Sequence, residues 1–224
     1  MFLPCVKTNE HYLMNIQLIN ASSGNLASLK HAFAYLGVSC KEILTSGDID
    51  EFNPIVLPGV GSFGTIAKRI GHLGIRDRLR RAHSNGQPIL GVCLGMQMLG
   101  CESDEGNKSE GLGLIPGHVK RLPKTTLDYR VPNIGWHFVT ATANCQEKYA
   151  SVLDKRVFYH LHSYYLEPEK SHSILATIKF SDKAIPVAVA SGATVGFQFH
   201  PEKSQEDGIE LLAAWRDIFV SKGR

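Results

Sequence analysis

Apolar and polar residues alternate along the first part of the chain with the periods of strands and helices. Residues 15–19 read Asn-Ile-Gln-Leu-Ile, an alternation that predicts a strand. After a polar break, apolar residues recur at helical spacing, at Leu26, Leu29, Phe33 and Leu36. Gly37 follows directly and is predicted to end this helix. The opening pattern is therefore that of a strand followed by a helix.

Two more strand signals, each followed by a helix, occur before residue 100. Residues 55–57 are an apolar triplet that predicts a short buried strand, and a helical stretch is expected from there through Arg81, closing at Asn85-Gly86. Residues 88–92 predict another buried strand that leads into a short helix. Strands that alternate with helices form a parallel sheet with helices on both faces. The predicted fold class is α/β, with a central, mainly parallel sheet flanked by helices.

Beyond about Gly111 the pattern changes to short β-rich segments, which we expect to add antiparallel strands. The predicted strands are residues 118–122, 136–140, 157–160, 174–180, 187–190 and 195–199. A helix over residues 207–220 closes the chain, with an apolar stripe of Ile209, Leu212, Trp215 and Phe219.

Length and composition fit one globular domain. The chain has 224 residues, of which 43% are hydrophobic and 20% charged, and no linker divides it. We expect a single domain over residues 15–224, preceded by a leader, residues 1–14, of unknown role. The net charge of +3 is too small for nucleic-acid binding, and no apolar run is long enough to span a membrane. We therefore expect a cytoplasmic protein that binds neither nucleic acid nor membrane.

The cysteines argue against a disulfide scaffold or a zinc ribbon. They are odd in number, widely spaced and without a C-x-x-C pair, at Cys5, Cys40, Cys93, Cys101 and Cys145. No metal and no cofactor are expected. The question is whether one of these thiols is reactive.

Cys93 lies between two glycines, directly after a predicted buried strand. The segment Gly91-Val92-Cys93-Leu94-Gly95 matches the G-x-nucleophile-x-G pattern of a nucleophile elbow. The turn is so sharp that a Cβ at either glycine would collide with neighbouring backbone. Leu94 begins the next helix, so free N–H groups and the positive helix end face the sulfur and offer an oxyanion donor. A buried structural cysteine is the alternative interpretation.

A base for such a thiol is available near the C-terminus. The strand predicted at residues 195–199 ends in His200-Pro201-Glu202. The carboxylate of Glu202 can reach back to the imidazole of His200, hold one tautomer and stabilise the imidazolium. The alternative is a strand-end histidine beside an exposed glutamate.

Taken together, these motifs resemble the class I glutamine amidotransferases, whose triad is Cys-His-Glu. The likeness is greatest to the glutaminase subunits of imidazole glycerol phosphate synthases and covers residue 15 to the C-terminus. It is carried by PGVGSF (58–63), GVCLGMQ (91–97), GLGLIPGHVKRL (111–122), a Gly-Trp turn (135–136), HSY (162–164) and GFQFHPEKS (196–204).

The resemblance implies a role for each matching residue. Cys93 would attack the carboxamide of L-glutamine, with His200 as base and Glu202 as its orienter. A γ-glutamyl thioester would form and ammonia would leave. Leu94 and Val60 would supply the N–H groups of the oxyanion hole. Because Val60 lies between two glycines, we expect its peptide to rotate into place only when a partner binds.

Further implied roles concern the substrate pocket and the partner. The positions that match the glutamine pocket are Gly59, Gln97, Ser163 and Tyr164. In the family, ammonia crosses into a (β/α)₈ cyclase subunit, which makes imidazole glycerol phosphate and AICAR in histidine biosynthesis. The chain would form a heterodimer with such a cyclase through Trp136, Tyr159 and Lys203.

Two segments depart from the family pattern. Residues 20–23 read Asn-Ala-Ser-Ser where the family commonly has Asp-Tyr-Gly. Residues 132–137 read Pro-Asn-Ile-Gly-Trp-His where Pro-His-Met-Gly-Trp-Asn is expected. The second segment lies in the region expected to face the cyclase. A paralogous ammonia donor for amidino-sugar formation in surface polysaccharide synthesis is therefore an alternative function.

Three other interpretations compete with these. A stand-alone cysteine hydrolase of γ-glutamyl compounds would need no partner. A metal site is conceivable at His160, His162, His200 and Glu202, because His-x-His on a strand places both rings on one face. A catalytically silent binding subunit is the third, against which stands the presence of all three triad residues.

Overall fold

A computed structural model describes residues 15–21, 26–106, 108–123 and 129–220, with only the backbone of the last two residues. The predicted leader of residues 1–14 lies outside this range. In the described part of the chain, no helix is both long and apolar enough to cross a membrane.

The described residues form fourteen strands and six α-helices. The strands are β1 (Asn15–Ile19), β2 (Ser39–Ile43), β3 (Ile55–Gly59), β4 (Ile89–Cys93), β5 (Glu102–Ser103), β6 (Ser109–Glu110), β7 (Gly117–Arg121), β8 (Asn133–Phe138), β9 (Thr140–Ala141), β10 (Val157–His162), β11 (Tyr164–Pro168), β12 (Ile174–Phe180), β13 (Lys183–Ser191) and β14 (Thr194–Phe197). The helices are α1 (Leu26–Tyr35), α2 (Phe63–His72), α3 (Arg76–Ser84), α4 (Leu94–Met98), α5 (Glu147–Leu153) and α6 (Gln205–Val220).

The central sheet has eight strands in the order β2-β1-β3-β4-β14-β13-β12-β9. The pairs from β2 to β14 are parallel, and those from β14 to β9 are antiparallel. A four-stranded sheet, β11-β7-β5-β6, and a two-stranded sheet, β10-β8, complete the described structure. The predicted α/β fold with added antiparallel strands is confirmed.

Each inner strand of the parallel region is buried on both faces. In β3, Val56 packs in one hydrophobic cluster, while Ile55 and Leu57 pack in the other. The first cluster contains Phe33 of α1 and Trp215 of α6, whose rings lie 6.0 Å apart. The second contains the apolar faces of α2 and α3. This two-sided burial explains why these strands appear in the sequence as short, continuous apolar runs.

The helical stretch predicted to run through Arg81 is wrong in one respect, because it consists of two helices. Gly74 has φ +64° and ends α2. The N–H of Ile75 donates to the carbonyl of Ile70, and the N–H of Gly74 donates to that of Gly71. These two bonds form a Schellman motif, which stops a helix at a left-handed glycine.

Candidate active site

The sharp turn at Cys93 joins β4 to α4. Cys93 has φ 55° and ψ −113°, a conformation that residues other than glycine rarely adopt. A Cβ on Gly95 would lie 1.8 Å from the carbonyl oxygen of Leu57, and one on Gly91 would lie 2.7 Å from that of Gly95. The expected backbone collisions are therefore confirmed. Cys93 can adopt this strained conformation because Gly91 and Gly95 lack a Cβ, which lets neighbouring backbone atoms approach the turn closely.

The sheet topology brings three chain segments to one edge. Strands β3 and β14 both run parallel to β4, with Gly59 opposite Cys93 and Phe197 opposite Val92. Their C-terminal ends consequently meet beside the elbow. This edge is where parallel α/β sheets commonly place ligands.

His200 and Glu202 follow β14 and form a buried pair. Nδ1 of His200 lies 2.8 Å from Oε1 of Glu202, and their side chains are 2% and 0% exposed. A 3₁₀ turn, Pro201–Lys203, folds the carboxylate back onto the ring. The N–H of His200 donates to the carbonyl of Tyr159 at 3.0 Å, and the hydroxyl of Ser204 donates to the His200 carbonyl at 2.6 Å. The imidazole is thus held from its backbone as well as from its ring.

The surroundings of His200 favour the imidazolium. Burial alone would lower the pKa of His200, but its hydrogen bonds with the side chains of Cys93 and Glu202, together with their charges, raise that pKa to about 10. The structure therefore brings together Cys93, His200 and Glu202. The side chains of Cys93 and Glu202 both bind the imidazole ring of His200. An imidazolium beside a sulfur atom stabilises the sulfur anion, the nucleophilic form of cysteine.

A cavity of about 240 Å³ opens over the sulfur. Of the predicted pocket and oxyanion residues, its walls include Val60, Leu94, Gln97, Ser163 and Tyr164. Its other lining residues are Gly61, Cys93, Glu105, Pro132, Leu161, His162 and His200. The sequence-predicted residues of the nucleophile and of most of the pocket thus share one space.

Gly59, assigned to the glutamine pocket, is placed differently. It is buried at the end of β3, where a Cβ would lie 2.7 Å from the backbone nitrogen of Gly95. Gly59 is not among the cavity-lining residues. Its contribution is to let β3 approach the elbow closely.

Gln97 lines the cavity, but its amide hydrogens are bound to protein acceptors. Its Nε2 donates to the carbonyl of Tyr164 at 2.9 Å and to Oε1 of Gln198 at 3.1 Å. The side chain is 4% exposed. The side-chain oxygen of Gln97 takes part in neither of these two bonds.

Glu105 is a cavity residue that the sequence analysis did not single out. Its Oε2 accepts a hydrogen bond from the N–H of Phe63 at 2.6 Å, at the start of α2. The carboxylate thus stabilises the positive end of that helix and supplies negative charge to the cavity wall. No motif surrounds Glu105, and nothing in its spacing distinguishes it from Asp104 or Glu110.

The residues predicted to meet a partner lie around one surface. Three cross-strand pairs of the two-stranded sheet point outward and form what we call the β8–β10 face: Phe138 with Val157, Trp136 with Tyr159, and Ile134 with Leu161. Phe138, Ile134, Trp136 and Leu161 are 72%, 57%, 47% and 41% exposed. Leu161 also lines the cavity, so this face adjoins the sulfur site. Lys203 is exposed on the turn that follows His200. The backbone N–H of His200 donates to the carbonyl of Tyr159, so this turn adjoins strand β10.

The inner side of the same two strands carries histidines. Nδ1 of His160 lies 3.3 Å from Nε2 of His162, and Nδ1 of His162 lies 2.9 Å from the carbonyl of Tyr164. Burial, with minor contributions from neighbouring histidines, lowers the pKa of His160 well below its ordinary value and that of His162 to about 4. Within the described ranges, no group of three or more His, Cys, Asp or Glu side chains is arranged to hold a metal ion. The proposed metal alternative therefore has no geometric support.

Comparisons with known proteins agree on one family. Residues 17–215 match the model of the class-I glutamine amidotransferases. The chain is 34% identical to imidazole glycerol phosphate synthase subunit HisH of Chlorobaculum tepidum over 85% of this chain and 93% of that protein. It is 35% identical to the protein of the same name from Listeria monocytogenes, over 92% of this chain and 97% of the relative. A crystal structure of a glutamine amidotransferase from Thermotoga maritima shares the fold, with a TM-score of 0.60 and 19% identity over 95% of this chain and 86% of the other.

Proposed function

The chain belongs to the class I glutamine amidotransferase family, an enzyme family that acts on glutamine, and we propose that it is the glutaminase subunit of an imidazole glycerol phosphate synthase. The observation that carries this proposal is the joining of Cys93 and Glu202 to one buried imidazole, that of His200, beside a cavity that adjoins an exposed apolar face. The names of the two relatives above support the choice of synthase.

The proposed first half-reaction forms a thioester. The Cys93 sulfur anion attacks the side-chain carbonyl carbon of glutamine, and the carbonyl oxygen takes the negative charge. The N–H groups of Leu94 and Val60 stabilise that oxyanion, a contribution of about 10²–10³ in rate for each donor. His200 then donates its proton to the amide nitrogen as the C–N bond breaks. The products are ammonia and a γ-glutamyl thioester on Cys93.

The proposed second half-reaction releases glutamate. The neutral His200 accepts a proton from a water molecule as that water attacks the thioester carbonyl carbon. The C–S bond breaks, glutamate leaves, and the sulfur anion and the imidazolium are restored. Glu202 stabilises the positive charge on His200 each time it forms and keeps Nδ1 occupied, so that Nε2 faces the reaction.

Substrate recognition fits the charges of the cavity. Free glutamine carries an α-ammonium group, and Glu105 offers a carboxylate in the wall. We assign Glu105 to that ammonium group. Gln97, Ser163 and Tyr164 provide polar groups in the same wall, and we assign them to the remainder of the substrate.

The partner is proposed to dock on the β8–β10 face. An exposed apolar patch of this kind marks a protein interaction site more often than free surface. Because Leu161 belongs to both the face and the cavity, ammonia has a short way from Cys93 to a cyclase of the (β/α)₈ fold. A stand-alone hydrolase gives no reason for such a face.

Gly61 supports a gate at the oxyanion hole. It has φ +101°, a conformation that glycine adopts freely, and it follows Val60 directly. Gly59 precedes Val60, so glycine lies on both sides of this residue. Rotation of the Gly59–Val60 peptide would present either the Gly59 carbonyl or the Val60 N–H to the oxyanion. We propose that partner binding selects the N–H orientation, which requires different contacts with the two states.

Transfer of labelled nitrogen tests the proposed function. The chain is mixed with a histidine-pathway cyclase, its acceptor and glutamine labelled with ¹⁵N at the amide. Label in imidazole glycerol phosphate supports the proposal. Label transferred only with a different barrel protein would instead support the paralogous donor. The unusual sequence of residues 132–137, at β8, is the observation that favours this alternative. Label released only as free ammonia would support the stand-alone hydrolase.

A further inference from the structure

Gln198 is a buried polar residue beside the nucleophile to which the steps above give no role. It follows β14, two residues before His200, and is 0% exposed. Its Nε2 lies 3.9 Å from Sγ of Cys93. Its backbone N–H donates to the carbonyl of Val187 at 2.9 Å, which ties it to the adjacent strand. The position of its carboxamide is therefore set by the sheet.

The orientation of this carboxamide is fixed by Gln97. A backbone carbonyl only accepts hydrogen bonds, so the 2.9 Å contact with Tyr164 identifies the nitrogen end of Gln97. The second hydrogen of that nitrogen is directed at Gln198, 3.1 Å away, and requires an oxygen there. The nitrogen of Gln198 consequently faces the sulfur. A flipped Gln198 would oppose two amide nitrogens and direct an oxygen at Cys93.

This orientation distinguishes the two forms of Cys93. The thiol can donate to the carbonyl of Leu161 at 3.8 Å. The sulfur anion has no proton to donate and instead accepts from the amide of Gln198 and from His200. Hydrogen bonds to a charged group are stronger than bonds to a neutral one. Gln198 therefore favours the nucleophilic form.

Other charged and titratable groups also act on the sulfur. His200, backed by Glu202, favours the anion, and the carboxylate of Glu105 lies in the wall of the same cavity. His162 lines the same cavity and is uncharged at neutral pH, since burial lowers its pKa to about 4. Gln198 is the neutral donor of this set, so its contribution does not titrate.

We propose that Gln198 is a further catalytic residue, which donates its amide N–H to the Cys93 sulfur anion, and that Gln97 is the positioning residue that keeps Gln198 in this orientation. The proposal rests on the proposed glutaminase reaction, where the same anion attacks substrate and leaves from the thioester.

Site-resolved alkylation of Cys93 by iodoacetamide tests this in the full-length chain. Mass spectrometry follows the rate at Cys93 from pH 5 to pH 10, with the exposed Cys101 as internal reference. Gln198→Met keeps the length of the side chain and removes the donor. We expect the pH at half-maximal rate for Cys93 to rise by about one unit, which corresponds to an about tenfold smaller equilibrium constant for loss of the thiol proton. The profile of Cys101 should not move.

A second variant and a matched control keep the test decisive. Gln198→Glu retains the shape and the bond from Gln97 but replaces the donor with a carboxylate, so the Cys93 profile should also shift upward. Gln87→Met removes another buried amide, which binds the carbonyls of Asp50 and Asn53, and should leave the profile unchanged.

Unaltered Cys93 profiles in both Gln198 variants would overturn the proposal, even if these variants unfold at lower temperature. Glutamine is not needed for alkylation. A shifted profile in a chain whose native form hydrolyses no glutamine even with the cyclase and its acceptor present would therefore retain the role of Gln198 at the sulfur and refute the proposed function. An unchanged profile in an active glutaminase would do the reverse.

Discussion

Histidines in two neighbouring regions of this molecule have opposite electrostatic character. At the edge of the central sheet, the carboxylate of Glu202 and the sulfur of Cys93 overcome burial and raise the pKa of His200 to about 10. Beneath the β8–β10 face, His160 is in contact with other imidazoles, and burial lowers its pKa. Burial acts in the same direction in both places. The difference is that a negatively charged partner lies beside His200, whereas the ring of His160 lies against the imidazoles of His137 and His162. Positive charge is therefore favoured on the imidazole that the proposed chemistry uses.

The two regions also differ in solvent exposure. Cys93 and His200 are buried and held by neighbouring backbone, whereas Trp136 and Phe138 are exposed. We interpret the first region as the machinery for chemistry and the second as the site for a partner. Variants should therefore separate turnover from association.

The largest expected effect is that of Cys93→Ala. Removal of the nucleophile should lower glutamine hydrolysis by about 10⁴-fold or more while leaving partner affinity unchanged. Steady-state glutamate production and a binding titration check the two parts, with Cys101→Ala as control. A glutamine-analogue electrophile should label Cys93 alone. Label on Cys101 or Cys145 would contradict the assignment.

Glu202→Gln should have the next largest effect. The amide cannot stabilise the imidazolium, so turnover should fall by about 10²–10⁴-fold while partner binding persists. Because Glu202 contributes to the raised pKa of His200, the alkaline limb of the turnover profile should move to lower pH. Glu206→Gln, an exposed carboxylate at the start of α6, is the matched control. Native turnover by the Glu202 variant would indicate that another carboxylate orients His200.

Trp136→Ala should produce the reverse pattern. Loss of a large aromatic contact from the β8–β10 face should weaken cyclase binding by about 30-fold, while Cys93 alkylation in the isolated chain stays native. Phe138→Ala and Phe52→Ala form a matched pair, since both rings are exposed, at 72% and 89%. Calorimetric titration with the cyclase should weaken for Phe138 and not for Phe52. Equal affinities of the two variants for the cyclase would show that the docking site lies elsewhere on the chain.

His160→Phe should have the smallest effect and should appear only on acidification. Because the folded pKa of His160 lies below its unfolded value, the unfolded state takes up the proton first, and stability falls as pH drops below about 6.5. This group should therefore make the native protein less stable at pH 5 than at pH 7. Urea unfolding at both pH values should show a smaller loss for His160→Phe. Equal losses in the two proteins would mean that His160 is charged in the folded state.

The sequence predicts the turn at Cys93 because local sterics mark it. Gly91 and Gly95 are required where backbone atoms would meet a Cβ, and such collisions leave a pattern that can be read without coordinates. The break between α2 and α3 carried a similar mark at Gly74, which the helical periodicity of the surrounding residues concealed.

Other features had no local mark. Glu105 reaches the cavity through the packing of the loop after β5 against the start of α2. The edge strand β2 mixes exposed and half-buried residues, so its periodicity is weak. The orientation of Gln198 depends on Gln97, 101 positions away along the chain. These features arise from contacts between distant segments, and single-sequence patterns do not encode such contacts.

The steady-state glutaminase rate, measured with and without the cyclase and with and without its acceptor, tests the central claim most directly. That claim is that Cys93 chemistry is coupled to a partner on the β8–β10 face. We expect the isolated chain to be nearly idle and the rate to rise by about 10²–10³-fold in the loaded complex, the contribution of one oxyanion donor. Equal rates in all four conditions would contradict the coupling and favour a hydrolase that works alone.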